Sequence, residues 1–235
     1  MGPRPTEGEV LWEPSEQQRR ATNLARYMDW LANTRGLRFR DYQELWRWSV
    51  TDLEAFWASI WDYFRVGPPG AYRRVLADPR MPGARWFQGA ELNYAAQALS
   101  RRDDHPALLF RSEALGLDRL QTITYAQLAE QVGAVRAGLQ RLGVSRGDRV
   151  VAYLPNIPEA VIGFLAAASL GATWSSCSPD FGTRAVVDRF RQIEPKVLLA
   201  VSGYRYNGRD IDRTRELADI RHSLPTLAAT VAVDS

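Results

Sequence analysis

The stretch Tyr204-Arg205-Tyr206-Asn207-Gly208-Arg209 gathers two phenol rings, two guanidinium groups and a glycine within six residues. Guanidinium forks pair with phosphate oxygens, rings stack on a nucleobase, and glycine lets backbone approach a ligand closely. A solvated surface turn would use the same residues, and the spacing leaves both readings open. A second cluster, Ser175, Ser176 and Ser178 with Thr173 and Thr183 nearby, offers hydroxyls and loop amides to a phosphate or satisfies a turn. Cys177 has no histidine or lysine close by in sequence to depress its thiol, so a small buried residue is expected there rather than a nucleophile.

Other chemistries lack their residues. No G-x-G-x-x-G follows a strand pattern, and the sole lysine, Lys196, comes after Glu194-Pro195 at the opening of a strand instead of closing a glycine-rich loop. Neither G-x-S-x-G nor H-E-x-x-H occurs. His105 precedes Pro106 at a strand entry and His222 falls on a polar helix, so both are expected to be structural or exposed. No metal-ligand set and no catalytic residue is expected.

Elements that could position the two clusters alternate along the second half of the chain. Thr124-Tyr125-Ala126-Gln127 has the capping-box pattern, and Leu128, Val132, Val135, Leu139 and Leu142 follow at helical spacing until Gly143. Strands are predicted at 150–154, 172–177, 196–202 and 227–233, with helices at 158–170, 183–193 and 210–224; 107–110 and 121–123 suit a small hairpin or an edge pair. Continuous apolar strands separated by helices indicate βαβ units: an α/β fold, a parallel sheet with helices on both faces. Ligands then sit beyond the carboxyl ends of the strands, which directs attention to the loops 155–158, 175–183 and 203–209.

The first half differs. Seven of eight tryptophans (Trp12, Trp30, Trp46, Trp48, Trp57, Trp61, Trp86) fall in the first 86 residues. Thr51-Asp52-Leu53-Glu54 has the capping-box pattern before Leu53, Phe56, Trp57, Ile60 and Phe64, and Leu24, Tyr27, Met28 and Leu31 mark an earlier amphipathic helix. Such an aromatic stripe is either a stacking platform or a helix face packed on the protein, the commoner use. Gly67-Pro68-Pro69-Gly70 and the run from Asp78-Pro79 to Pro82-Gly83 break the chain.

Bulk properties bound the rest. The 235 residues are 46% hydrophobic and 24% charged, an ordinary globular balance. The net charge of +3 is not a patch: residues 1–120 hold 17 basic and 16 acidic side chains, and 121–235 hold 13 and 11, which argues against a nucleic-acid partner. MGPRPTEGEV contains no apolar secretory core, and the uncharged run Ala160 to Pro179 divides into a helix and a strand rather than a membrane span. One cysteine excludes an internal disulfide and suits a reducing, cytoplasmic setting.

Several segments together carry a resemblance: Arg85-Trp86-Phe87 with Gly89, Leu92 and Asn93; Thr124-Tyr125 with Leu128; Tyr153-Leu154-Pro155-Asn156; AAASLGATWSSCSPDFG from Ala166 to Gly182; and Tyr206-Asn207-Gly208-Arg209. In these the chain resembles the acyl-CoA synthetases of the adenylate-forming superfamily, most closely the acetoacetyl-CoA synthetases. Trp-Ser-Ser-x-Ser-Pro-Asp-Phe-Gly is the specific part, since acetyl-CoA synthetases carry glycines in place of Pro179 and Asp180. The resemblance implies a helical amino-terminal region (1–98) followed by the first part of an AMP-binding α/β domain (99–235). It implies an acid–thiol ligase acting on acetoacetate or a similar short acid, ATP and CoA, with Mg2+. Tyr206, Asn207, Gly208 and Arg209 would lie at the CoA nucleotide, Arg209 pairing its phosphate, and Ser178, Pro179 and Asp180 on the loop bordering CoA. The family's Ser/Thr/Gly-rich phosphate loop and its mobile domain with the catalytic lysine have no counterpart here. The chain is therefore expected to be an amino-terminal fragment, inactive alone. Against this stand a free-standing CoA- or nucleotide-binding module and a sugar- or nucleotide-binding α/β domain unrelated to ligases.

Overall fold

The computed structural model describes residues 6–68 and 70–234, and the chain divides into two compact units, Met1–Leu92 and Asn93–Ser235. Pro69, part of the first predicted break, lies outside the described residues, as do Met1 to Pro5 and Ser235.

In the first unit the aromatic periodicity becomes helices α1 (Glu16–Arg20), α2 (Asn23–Arg35), α3 (Tyr42–Thr51) and α4 (Leu53–Tyr63), followed by the antiparallel strands β1 (Arg74–Asp78) and β2 (Arg85–Gln88). Helix α2 starts where the Thr22 hydroxyl accepts from the Ala25 amide and stops at Gly36, whose φ of 69° suits glycine. Tyr27, Leu31 and Leu45 form the buried centre, with Trp48, Phe56 and Ile60 packed on it. The Tyr27 phenol meets the buried Ser59 hydroxyl at 2.5 Å. Phe56 and Ile60 of the stripe thus face the core, and Trp57 lies edge-on to Trp86 with ring centroids 5.8 Å apart. The capping box expected at Thr51 does not form, and the helix cap lies one residue later. Thr51 closes α3 by donating to the Arg47 carbonyl, and Asp52 caps α4 by accepting from the Ala55 amide at 3.1 Å.

The second unit runs α5 (Tyr94–Ala98), β3 (Pro106–Phe110), β4 (Gln121–Thr124), α6 (Tyr125–Arg141), β5 (Arg149–Tyr153), α7 (Pro158–Ser169), β6 (Thr173–Cys177), α8 (Thr183–Arg191), β7 (Val197–Ala200), β8 (Gly203–Tyr206), β9 (Arg209–Asp212), α9 (Thr214–His222) and β10 (Ala229–Ala232). The Thr124–Gln127 capping box forms with both reciprocal bonds, and β3 and β4 pair as the expected antiparallel hairpin. The main sheet has the order β10-β7-β5-β6, all parallel.

Alternation along the central strands assigns the faces. Val150, Ala152, Val197 and Leu199 point toward α6 and α7, where Leu128, Val132, Ile162 and Leu165 complete one core layer. Val151, Tyr153, Leu198 and Ala200 point the other way, toward Val186 and Phe190 of α8 and Ile220 of α9. This is an α/β parallel sheet with helices on both faces.

Two expectations fail at one place. Residues 203–209, read as a loop, and 210–212, read as the start of a helix, form the antiparallel hairpin β8–β9. Asn207 and Gly208 are its two-residue turn, with φ of 50° and 73°. Both values are left-handed, as a type I′ turn requires, and Asn-Gly is the strongest short hairpin signal. Helix α9 accordingly begins at Thr214, where the Asp212 carboxylate accepts from the Thr214 amide and hydroxyl.

Candidate functional site

The carboxyl ends of β5, β6 and β7 deliver three segments to one end of the sheet. From β6 the chain enters Ser178-Pro179-Asp180-Phe181-Gly182. Pro179 is fully buried, and the Tyr153 phenol at the end of β5 donates to its carbonyl at 2.9 Å and to that of Phe181 at 3.4 Å. A buried phenol needs such a partner. Beyond β7 the hairpin reaches back: the Tyr204 hydroxyl donates to Asp180 Oδ1 at 2.5 Å, and Ser178 Oγ donates to Asp180 Oδ2 at 2.9 Å. The Tyr204 and Ser178 donors hold the Asp180 carboxyl below the ordinary range, and burial, followed by the bond to Asp180, raises the Tyr204 phenol. Asp180 is ionised at neutral pH, exposed to solvent, and already bonded within the protein.

Arg213 backs this pair. Its guanidinium lies 6.0 Å from the centre of the Tyr204 ring and donates to Glu216 Oε1 at 2.9 Å. Beside the hairpin opens a cleft of about 440 Å³ lined by Ser202, Tyr204, Arg205, Asp210, Thr214 and Ala114.

At the turn, Tyr206 is 65% exposed and the Arg209 side chain is also exposed, with no hydrogen bond or ion pair among the described residues. Arg205 pairs with Asp210 at 3.4 Å. The two turn amides are occupied: Asn207 N–H donates to Glu113 Oε1 at 2.9 Å and Gly208 N–H to Glu113 Oε2 at 2.7 Å. These two bonds, with a smaller contribution from Arg205, hold the Glu113 carboxyl low.

The structure therefore brings the 178–180 loop together with the hairpin through Tyr204. It does not gather the hydroxyl cluster: Ser175 and Ser176 sit on successive positions of β6 and face opposite sides of the sheet. Cys177 is buried, and burial pushes its thiol up. Sequence reasoning missed Glu113, which lies 94 residues from Asn207 with no local signal. It also missed Tyr153, whose place at the end of a wholly apolar strand was a readable sign of a hydroxyl in need of a partner. Among the described residues no group of three or more His, Cys, Asp or Glu is arranged to hold a metal ion. Among the same residues no helix is long and apolar enough to cross a membrane.

Comparison with known proteins supplies two family matches. The AMP-binding enzyme family matches residues 95–235, and the acetyl-coenzyme A synthetase N-terminus matches residues 42–98. An acetoacetyl-CoA synthetase of Gallus gallus is 37% identical over 229 residues, 97% of this chain and 34% of that protein. One from Rhizobium meliloti is 37% identical over 227 residues, again covering 34% of its length. A malonamoyl-CoA synthetase of Penicillium aethiopicum is 33% identical over 240 residues. Among solved structures, the acetoacetyl-CoA synthetase from Streptomyces lividans superposes with a TM-score of 0.88 at 45% identity, over 95% of this chain and 35% of that one. The chain thus spans about a third of the length of the relatives it matches.

Proposed function

Because this chain belongs to the AMP-binding enzyme family, we propose that it is the amino-terminal part of an ATP-dependent acetoacetate–CoA ligase. Residues 1–98 are the helical region and 99–235 the first part of the adenylation domain. The complete reaction joins acetoacetate and ATP into an acyl-adenylate with loss of diphosphate, and the CoA thiol then displaces AMP. The observation that carries the reading is the likeness, along nearly the whole chain, to acetoacetyl-CoA synthetases in sequence and in structure. Mg2+ would accompany ATP elsewhere in the longer protein, and a cytoplasmic setting suits the single buried thiol.

Within these residues we assign the coenzyme side of the site. Arg209, exposed and unpaired on the rim of the hairpin, pairs a phosphate of CoA, and Tyr206 offers its exposed ring to the nucleotide. Ser178, Pro179 and Asp180 border the coenzyme, but their polar atoms mainly bond one another, Tyr153 and Tyr204. Their contribution is the shape and charge of the rim.

Calorimetric titration with CoA tests the assignment. Arg209→Ala deletes the guanidinium fork and leaves the Asn-Gly turn intact, so its affinity is expected to fall about tenfold or more, the weight of one charge-assisted pair. Absence of binding to both proteins, or equal binding to both, overturns it. The 235-residue chain alone is expected to release no AMP from acetoacetate, ATP and CoA. AMP formation above the no-acetoacetate control overturns that expectation.

A further inference from the structure

Among the described residues, strands β8 and β9, which present Arg209, pair only with each other, and a two-stranded hairpin is marginally stable by itself. What fixes Arg209 in space is therefore whatever ties the hairpin down. At one end the Tyr204 hydroxyl is tied to Asp180. At the other end the ties come from Glu113.

Both turn residues are left-handed, and each presents its N–H to a different oxygen of the Glu113 carboxylate, at 2.9 and 2.7 Å. A carboxylate is an acceptor with two oxygens, so the match is one oxygen to each amide. Glu113 follows β3 on a short turn in which Ser112 Oγ accepts from the Ala114 amide at 3.2 Å, so its own backbone is locally braced. An incoming phosphate would meet a negative charge already seated on the turn. The Arg209 side chain, next in sequence to the turn, is exposed and has no acceptor among the described residues.

We propose that Glu113 is a positioning residue: its carboxylate pins the Asn207–Gly208 turn and withdraws both amides from ligand binding, so that phosphate is recognised here by the arginine side chain and not by backbone. The proposal rests on the coenzyme reading above. Four 235-residue chains test it: the parent, Glu113→Ala, Glu113→Gln and Arg209→Ala, each first checked for an unchanged thermal melt. Without ligand, amide exchange at Asn207 and Gly208 should quicken about tenfold or more in Glu113→Ala, as expected on losing charge-assisted bonds. Unchanged exchange overturns the clamp. With ligand, CoA affinity should fall about tenfold in Glu113→Ala, and less in Glu113→Gln, which keeps one acceptor oxygen. Taking the phosphate that Arg209 pairs as the ribose 3′-phosphate, which 3′-dephospho-CoA lacks, the affinity for that probe should stay within about twofold, because only the 3′-phosphate contact depends on the placement of Arg209. Tighter CoA binding in Glu113→Ala would mean that the ligand uses the amides, and an equal loss for both probes would mean a merely structural role. Either result overturns the proposal. If the parent binds neither probe, the coenzyme reading fails, and amide exchange alone still decides whether Glu113 holds the turn.

Discussion

Lys196, the sole lysine among 30 basic residues, works at the end of the sheet away from the candidate site. Its ammonium donates to the Gly143 carbonyl at 2.7 Å, at the stop of α6, and to Asp148 Oδ2 at 2.9 Å, while the Ser145 amide and hydroxyl donate to the same carboxylate. The Lys196 donor first, and Ser145 next, bring the Asp148 carboxyl down from 3.8 to about 2. A carboxyl depressed on folding stabilises the native state above its unfolded pKa, and that contribution is lost as pH falls from about 4 toward 2. Its size is about 1–2 kcal/mol, less than the full shift implies because both side chains are partly solvated. Asp148→Asn should therefore lower stability by that amount in urea denaturation at pH 7 and by little at pH 2. An equal loss at both values would mean that the asparagine disturbs packing instead. The pair could not be read from sequence, since Lys196 reaches Asp148 across 48 residues. The same holds for Glu113 on its turn. Short-range chemistry, such as the Thr124–Gln127 box, was legible because all its partners lie within a few residues.

Helix α7 shows how close the elements stand. A Cβ built on Gly163 would lie 2.9 Å from Leu199 Cδ2 and 3.0 Å from the Trp174 ring, so the glycine lets the helix press onto β6 and β7. Leu199 is only 4% exposed and has little room to yield. Alanine would gain up to about 1 kcal/mol of helix propensity against about 1–3 kcal/mol of overpacking. Gly163→Ala is accordingly expected to lower stability by about 1 kcal/mol net, seen as a melt a few degrees lower; a higher melting temperature would show that helix and sheet can separate slightly at no cost. The parallel strands and their covering helices were legible because a strand buried on both faces is apolar throughout, and Val150 to Leu154 has no other reading. The hairpin was not recognised. Its residues are polar and half exposed, so hydrophobic periodicity is silent there, and its one clear signal, Asn207-Gly208, fits a ligand loop or a surface turn as well as a turn between strands. The capping error at Thr51 has a related cause: two adjacent residues can each cap, and Asp52 does so because Thr51 still belongs to the preceding helix.

At the scale of the molecule, one chemical reporter reaches the core. Cys177 is the only cysteine; it ends β6 beneath α8, and burial both shields its thiol and raises it. Alkylation needs an exposed thiolate, so native reaction must pass through an opened state. The rate at pH 7.5 is expected to fall below about one hundredth of that in denaturant, since each 1.4 kcal/mol of opening free energy suppresses it tenfold. The size of the opening can be read from two substitutions that leave the neighbourhood of Cys177 untouched. Gly163 packs on the opposite face of the sheet, and Asp148 lies at the opposite end of the strands. If exposing Cys177 requires the sheet to come apart as a unit, Gly163→Ala and Asp148→Asn must each speed alkylation by the factor that matches their loss of stability at that pH. If α8 lifts by itself, neither substitution changes the rate, and the layer formed by α8 and α9 is then a separate cooperative unit from the layer formed by α6 and α7.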